Sequence, residues 1–313
     1  MKASMGMKEI PAKTILSARK DGWFGTDYTM NLYRGCCHGC IYCDSRSECY
    51  GIDSFELVGK KENALYLLEQ ELRSRRKSGI VLTGSMSDPY NPFEKKEQLT
   101  RGALSLLAQY GYGVMIITKS DLALRDTDLL RSIAGQAPAV VQVTITTADE
   151  ALCRRLEPHV STTKERLEMI RKLSAEGITC GVLLMPLLPF VNDTEKNILE
   201  LVERSAEAGA RWVYGEYGFP VSLRDRQRDY LYARLDDLFP GMSARYRKAF
   251  GNGYWCSRIG DGTMEKFRLA CEKAGLLCGM EEIKSCVRDL YGYRQLDLTN
   301  LPGMTIVKDE INE

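Results

Sequence analysis

The chain has 313 residues, of which 44% are hydrophobic and 27% are charged, values close to those of ordinary globular proteins. Its 43 basic and 42 acidic residues leave a formal charge of +1, so composition does not indicate a strongly basic nucleic-acid-binding protein or a membrane-surface protein. No apolar run approaches the ~20 residues that span a bilayer, and residues Met1 to Asp21 lack the apolar stretch and cleavage site of a secretory signal. We therefore expect a cytoplasmic protein without a membrane partner.

Between residue 28 and about residue 216, apolar runs of strand length alternate with segments of helical periodicity. This alternation is typical of parallel strands joined by crossover helices. Strands are predicted for the runs richest in β-branched and apolar residues, which are Thr29 to Arg34, Ile80 to Thr83, Val114 to Thr118, Val140 to Thr146, Ile178 to Met185 and Arg211 to Gly215.

Two of the intervening helices have recognisable ends. Thr162 and Glu165 form a capping-box pattern that predicts the start of a helix, and Gly177 predicts its end. Asp193 is predicted to cap a second helix that ends near Gly209.

Six β/α units of this kind predict an α/β fold, either a partial barrel or a doubly wound sheet. Both architectures collect functional groups at the C-terminal ends of their strands. After about Pro220 the strand pattern fades and the chain becomes helical, with basic and aromatic residues interleaved. We therefore divide the chain into an N-terminal segment (1–25), a barrel (26–220) and a helical C-terminal extension (221–313) whose last dozen residues form a frayed tail.

Cysteines are concentrated in one short segment, because five of the eleven lie between Cys36 and Cys49. An odd number, a large chain and uneven spacing favour metal-binding or reactive thiols over disulfides. Cys36, Cys40 and Cys43 have the spacing C-x3-C-x2-C, which can close around an iron–sulfur cube on a tight loop. A four-iron cluster held by three cysteines keeps one iron open, and an amino group with a carboxylate can chelate that iron.

Other ligand sets remain open on spacing alone. Cys37, Cys40 and Cys43 have a ferredoxin-like spacing, although the fourth cysteine and proline of that pattern do not follow. A zinc site could combine the same three cysteines with His38 or Cys49. No C-x2-C pair occurs near the C-terminus, so core packing or chance surface positions, rather than a second cluster, are predicted for Cys256, Cys271, Cys278 and Cys286.

With Tyr42 as the aromatic residue before the last cysteine, the loop resembles the C-x3-C-x-aromatic-C signature of the radical S-adenosylmethionine superfamily. The resemblance implies a partial (β/α)6 TIM-like barrel, a 4Fe-4S cluster on Cys36, Cys40 and Cys43, and S-adenosylmethionine with its adenine near Tyr42. By the family's chemistry, the reduced cluster passes one electron to the sulfonium and releases a 5′-deoxyadenosyl radical, which abstracts hydrogen from a substrate. The family also implies a one-electron reductant such as flavodoxin or ferredoxin.

The stretch from Thr83 to Pro92 and its continuation to Arg101 resemble the spore photoproduct lyase-like branch of this superfamily. By that resemblance, Ser87, Lys119 and Thr146 bind the amino and carboxylate ends of S-adenosylmethionine. A lysine suits this role because it makes a strong charge-assisted hydrogen bond with a carboxylate.

Two positions depart from that branch. Ser85 stands where the lyase has its hydrogen-donating cysteine, and Asp44 stands where it has a tyrosine that assists. A serine O–H bond is too strong to donate a hydrogen atom readily, and an aspartate cannot relay a radical as a phenol can. We therefore expect a relative that acts on another substrate, with its own hydrogen donor unassigned.

The arginines and tyrosines of the extension are compatible with nucleic acid as a partner, as they are with a solvated helix face. The alternative to an enzyme is a zinc- or cluster-bearing nucleic-acid-binding module without catalysis.

Overall fold

The structure is a computed structural model that describes residues 6–297. Its strands, in chain order, are β1 (Gly6–Ile10), β2 (Leu16–Ala18), β3 (Tyr28–Met30), β4 (Tyr33–Arg34), β5 (Leu57–Lys61), β6 (Ile80–Thr83), β7 (Gly113–Thr118), β8 (Ala139–Thr144), β9 (Thr179–Leu183), β10 (Trp212–Tyr214), β11 (Val221–Ser222) and β12 (Trp255–Cys256). Its α-helices are α1 (Ala64–Ser74), α2 (Glu94–Glu97), α3 (Leu99–Gln109), α4 (Thr127–Ala134), α5 (Glu150–Leu156), α6 (Thr163–Ala175), α7 (Glu195–Glu207), α8 (Asp225–Leu238), α9 (Met242–Phe250), α10 (Asp261–Lys273) and α11 (Met280–Asp297). The predicted frayed tail lies outside the described residues.

The central sheet has the strand order β10-β9-β8-β7-β6-β3-β2. From β3 to β10 every neighbouring pair is parallel, whereas β2 pairs with β3 in the antiparallel sense. Both faces of a parallel sheet are covered, which explains why β6, β7 and β8 are fully buried runs without alternation. The predicted α/β class and the six-stranded partial TIM-like barrel are therefore confirmed.

The first predicted strand, Thr29 to Arg34, is wrong as a single element. Tyr28–Met30 belongs to the barrel, whereas Tyr33–Arg34 leaves it and pairs with β5 in a separate sheet of order β1-β5-β4. The residues are extended throughout, and propensity alone does not identify the partner of a strand. As a consequence, the cysteine loop follows the small sheet rather than the first barrel strand.

The other barrel strands lie where they are predicted, with ends that differ by one or two residues. Thr162 caps α6 through a complete capping box with Glu165, as expected. The second predicted cap is wrong by one residue, since the side chain of Thr194 accepts the Asn197 N–H and caps α7. The carboxylate of Asp193 instead accepts the backbone N–H of Phe190.

The C-terminal part of the chain is helical, apart from the short antiparallel pair β11–β12, which the sequence did not predict. Its helices pack on the barrel: α10 contacts α7, and α11 contacts the turn Trp23–Gly25 before β3. Residues of α8 and α9 share an apolar cluster with the cysteine loop. Among residues 6–297, no helix combines the length and the apolar character needed to cross a bilayer.

Candidate active site

The cysteine loop turns sharply at two glycines. Gly35 has φ +78° and would place a Cβ atom 2.6 Å from the carbonyl oxygen of Phe55, so a larger residue does not fit there. Gly39 has φ +75° and lies against Pro158. Backbone hydrogen bonds from Cys36 to Phe55 (2.9 Å) and from Ile41 to Leu156 (3.0 Å) hold the loop between the small sheet and the end of α5.

The loop brings together the three thiols of the C-x3-C-x2-C motif. Cys36 and Cys40 are buried and Cys43 is half-buried. Burial raises the pKa of Cys40 and Cys43, and negative charge on the neighbouring thiols, Cys36 among them, raises both further. Burial also opposes ionisation of Cys36, but His38 beside it holds the pKa of this thiol below its usual value. A cation that favours the thiolates would stabilise the loop, as iron does.

The donor set fits an iron–sulfur cluster. Three cysteines leave one iron of a four-iron cube without a protein ligand. Each thiolate of such a cube binds a different iron, so the sulfurs lie farther apart than the ligands of one ion. In the part of the chain that the structure describes, no three Cys, His, Asp or Glu side chains converge closely enough for a single metal ion.

The alternative ligands have other contacts. Cys37 is buried in the main barrel core, and this burial raises its pKa to about 12. Cys49 is exposed and lies 3.7 Å from the guanidinium of Arg224. His38 is buried 3.4 Å from the carboxylate of Asp88. Each of the three alternative ligands therefore has contacts of its own outside the C-x3-C-x2-C trio.

Asp88 is a buried organiser of the site that the sequence did not reveal. Its carboxylate accepts hydrogen bonds from the hydroxyl of Thr118 (2.8 Å) and from the backbone N–H groups of Lys119 (2.8 Å) and Tyr90 (2.9 Å). Burial opposes its charge, yet His38 and these donors lower its pKa to about 2. Asp88 thereby joins the cysteine loop to the ends of β6 and β7.

Lys119 follows β7 and carries its charge over the cysteine loop. Its ammonium lies 5.7 Å from the centre of the Tyr42 ring. Burial lowers its pKa, but the charges of Cys40 and Glu157 more than compensate and raise it. No ion pair or side-chain hydrogen bond of this ammonium occurs within residues 6–297.

The two predicted hydroxyl residues differ in their contacts. Thr146 follows β8, and its buried hydroxyl oxygen has no hydrogen-bond partner among the described residues. Its carbonyl oxygen is held by the side-chain amides of Asn192 (2.8 Å) and Asn197 (3.0 Å). Ser87 instead donates its hydroxyl hydrogen to the carbonyl of Gly35 at 2.5 Å, and so supports the cysteine loop. Of the predicted residues, Lys119 and Thr146 thus offer polar groups that lack a hydrogen-bond partner within residues 6–297.

Tyr42 is fixed by a buried network. Its hydroxyl donates a hydrogen bond to Glu157, whose carboxylate forms an ion pair with Arg166 at 2.5 Å. All three residues are buried, and Arg166 also donates to the carbonyl of Thr144 (2.8 Å) at the end of β8. The positive charge of Arg166 lowers the pKa of Glu157 against the effect of burial. This network makes Tyr42 a rigid support of the loop, a role that the spacing of Glu157 and Arg166 in the sequence did not suggest.

Helix α8 closes the other side of the loop. The carboxylate of Asp225 accepts hydrogen bonds from the Ser47 hydroxyl (2.7 Å) and from the backbone N–H of Glu48 (3.1 Å). Asp44 accepts a hydrogen bond from the Tyr50 hydroxyl (2.8 Å) and lies 3.3 Å from the guanidinium of Arg224. The residue that follows the last cysteine is therefore part of the junction with the extension.

The C-terminal cysteines do not converge on one site. Cys256 lies in the apolar cluster around α8 and α9, and Cys271 lies in the barrel core. Cys286 contacts a third cluster beneath α11. Cys271 donates a hydrogen bond to Cys278, which lowers the pKa of the Cys278 thiol. These positions agree with the predicted core packing.

A six-stranded parallel barrel with a three-cysteine loop beside the C-terminal ends of its strands defines a class of cluster-dependent radical enzymes. The family model of the Radical SAM superfamily matches residues 30–202. This chain belongs to that superfamily, whose members use S-adenosylmethionine and an iron–sulfur cluster and need an electron donor. The protein is therefore an enzyme, and the alternative of a non-catalytic binding module is not retained.

Several proteins are similar to this chain in sequence or in fold. An uncharacterized protein of Mycobacterium tuberculosis is 34% identical in a 234-residue alignment that covers 72% of this chain and 68% of that protein. An uncharacterized protein of Methanocaldococcus jannaschii is 31% identical over 55% of this chain and 64% of its own length. Spore photoproduct lyase, in complex with a dinucleoside spore photoproduct, has a similar fold with a TM-score of 0.63, covering 87% of this chain and 81% of the lyase at 16% identity.

The buried ion pair predicts a large effect of Glu157→Gln on stability. The substitution leaves the charge of Arg166 buried without a counter-ion, so we expect a loss of about 3 to 5 kcal/mol in the free energy of unfolding. Urea denaturation of the protein measures it. Glu168→Gln is the matched control, because Glu168 pairs with Arg171 on the surface and its loss should cost less than about 0.5 kcal/mol. Equal losses in the two variants would contradict this account of Arg166.

Proposed function

We propose that Cys36, Cys40 and Cys43 hold a 4Fe-4S cluster and that the enzyme cleaves S-adenosylmethionine reductively to start radical chemistry on a substrate. The observation that carries the proposal is the convergence of these three thiols, two of them fully buried, beside the ends of the barrel strands. When bound, the cluster and S-adenosylmethionine supply a 5′-deoxyadenosyl radical that abstracts hydrogen. The chain supplies orientation, a fixed pocket and compensating charge.

Different residues around the loop would bind different parts of S-adenosylmethionine. Lys119 would bind the carboxylate, because its half-buried ammonium faces the ring of Tyr42 and forms no ion pair within residues 6–297. The unpaired hydroxyl of Thr146 would donate to the same end of the cofactor. Tyr42, held by Glu157, would border the adenine. Ser87 would act through the Gly35 carbonyl, and we propose it as a positioning residue as well as a contact.

The required electron donor is proposed to be a flavodoxin or a ferredoxin. Either protein delivers one electron at a time, which is what the reductive cleavage consumes.

The substrate is proposed to differ from that of spore photoproduct lyase. Ser85 is exposed in the loop after β6 and provides no thiol hydrogen, and Asp44 is bound by Tyr50 and Arg224. Nucleic acid is favoured as the substrate class by one surface, where the Arg224 guanidinium lies 4.9 Å from the ring centre of Trp255 and 5.4 Å from that of Tyr254. Both residues are more than half exposed, so their solvent-facing surfaces can stack on bases.

The cluster ligands are tested by anaerobic reconstitution and chromatography of 5′-deoxyadenosine after addition of dithionite and S-adenosylmethionine. We expect wild type to form 5′-deoxyadenosine and to contain about four iron atoms per chain. Cys40→Ala should form none, because it lacks one thiolate of the trio. Cys37→Ala is the matched control from the same loop and should retain activity and iron. Loss of both in Cys37→Ala together with retention in a Cys36→Ala variant would refute the assigned spacing.

The role of Lys119 is tested by cofactor affinity. Lys119→Gln removes a charge-assisted hydrogen bond worth about 1.5 to 3 kcal/mol, so S-adenosylmethionine should bind roughly 10- to 100-fold more weakly. Titration calorimetry of the reconstituted protein measures the affinity, with iron content as a check. Lys95→Gln, on an exposed lysine of α2, is the control and should bind normally. An unchanged affinity in Lys119→Gln would remove this lysine from the site.

Because Ser85 and Asp44 differ from the residues of the lyase, we expect this protein to bind the lyase's DNA lesion without repairing it. A single-stranded oligonucleotide that contains the spore photoproduct should bind to the reconstituted protein, and its lesion should persist in the presence of dithionite and S-adenosylmethionine. Fluorescence anisotropy measures the binding, and mass spectrometry of the digested oligonucleotide measures the lesion. Restoration of two thymines would show that Ser85 and Asp44 do not prevent the lyase reaction, and absence of binding would argue against a nucleic-acid substrate.

A further inference from the structure

Arg46 is a buried cation three residues after the last cysteine of the loop. It ends the short 3-10 turn Asp44–Arg46, and its backbone N–H donates to the carbonyl of Cys43 at 3.3 Å. Only 6% of its side chain is exposed. A charged group this close to the loop and this far from water needs specific partners to offset its desolvation.

Two aromatic rings hold the guanidinium in place. Its central carbon lies 3.6 Å from the centre of the Tyr230 ring and 4.6 Å from the centre of the Phe55 ring. Tyr230 belongs to α8 and Phe55 precedes β5, so the stack joins the extension to the small sheet. Arg226 reinforces the arrangement by donating to the carbonyl oxygens of Arg46 (2.9 Å) and Ile52 (2.5 Å). A stacked guanidinium has few alternative rotamers, so its charge stays in one position.

The hydrogen-bonding capacity of Arg46 is only partly used. Nη1 pairs with the carboxylate of Glu56 at 2.6 Å. Nε and Nη2 are buried and have no acceptor among residues 6–297. A buried donor without an acceptor lowers the stability of the folded state. We therefore infer that an acceptor from outside the polypeptide binds these two N–H groups.

The surroundings of Arg46 identify the acceptor. Phe55, on which the guanidinium stacks, shares an apolar cluster with Cys36, and Cys43 packs against that cluster. The backbone N–H of Arg46 also donates to the carbonyl of Cys43. The guanidinium is therefore held next to the part of the loop that carries Cys43.

We propose that Arg46 donates N–H···S hydrogen bonds to the iron–sulfur cluster at its Cys43 side and thereby raises the reduction potential of that cluster. The inference rests on the proposed function, since it requires Cys36, Cys40 and Cys43 to hold the cluster. A reduced cluster carries one more negative charge than an oxidised one. A fixed cation and hydrogen bonds to sulfur stabilise the reduced form more, which makes the potential less negative. Arg46 is thus a positioning and tuning residue, and it takes no part in breaking bonds.

The test is a redox titration of the anaerobically reconstituted full chain, monitored by electron paramagnetic resonance. Arg46→Gln removes the charge and most donors, so its cluster should have a more negative midpoint potential than wild type. Arg46→Lys keeps the charge without the planar donors and should fall between them. Arg75→Gln is the matched control, because Arg75 also stacks on a tyrosine, Tyr28, at 4.6 Å and has a buried unpaired Nε, but it follows α1 at the opposite ends of the barrel strands. Its potential should equal that of wild type.

A measurement on wild type alone covers the case in which Arg46→Gln fails to fold or to take up iron. In protein grown with arginine labelled with nitrogen-15 in the guanidinium, pulsed electron–nuclear spectroscopy of the reduced cluster should detect a nitrogen-15 coupling. The coupling should disappear in Arg46→Lys.

The outcomes separate this inference from the function on which it rests. A fully loaded Arg46→Gln cluster with the wild-type potential overturns the tuning role, as does the absence of nitrogen-15 coupling in wild type. A wild-type protein that forms no paramagnetic cluster after reconstitution overturns the proposed function, and the inference with it.

Discussion

The need to place positive charge beside three thiols, two of them buried and one half-buried, shapes this site more than any other requirement. Thiolates removed from water are unstable unless cations lie close to them. The chain provides one cation from each direction: His38 within the loop, Lys119 from the end of β7, and Arg46 from the turn after Cys43. Each of these cations is itself fixed by a further contact. The charged side chains therefore couple the loop, the barrel and the extension to one another.

The contacts of these charged groups explain why the site includes residues of both the barrel and the C-terminal extension. Arg46 is stacked on Tyr230 of α8, and the cysteine loop shares its apolar cluster with residues of α8 and α9. On the barrel side, Asp88 holds His38 and the Lys119 backbone together, and Glu157 connects Tyr42 to Arg166. These contacts cover the loop on two sides, and shielding from water is a condition that a reactive radical requires.

The sequence predicts the features that depend on local pattern. The parallel strands follow from buried β-branched runs and the start of α6 from its capping box, whereas the proposed cluster ligands stay a prediction from their spacing. Partners that are distant in the chain leave no such trace. Residues 29 to 34 look like one strand although they divide between two sheets, because strand pairing depends on β5 and β6 further along. Asp88, Glu157 and Arg166 likewise appear as ordinary surface charges until the fold buries them against Lys119 and Tyr42.

Asp44 connects the cysteine loop to the extension. It lies immediately after the last cysteine, and its carboxylate lies 3.3 Å from Arg224 and accepts a hydrogen bond from Tyr50. Arg224 is the residue that caps α8 and borders the exposed Tyr254 and Trp255. The ionic contact therefore ties the turn after the cysteines to the exposed aromatic residues of the extension, so a change at Asp44 would alter both.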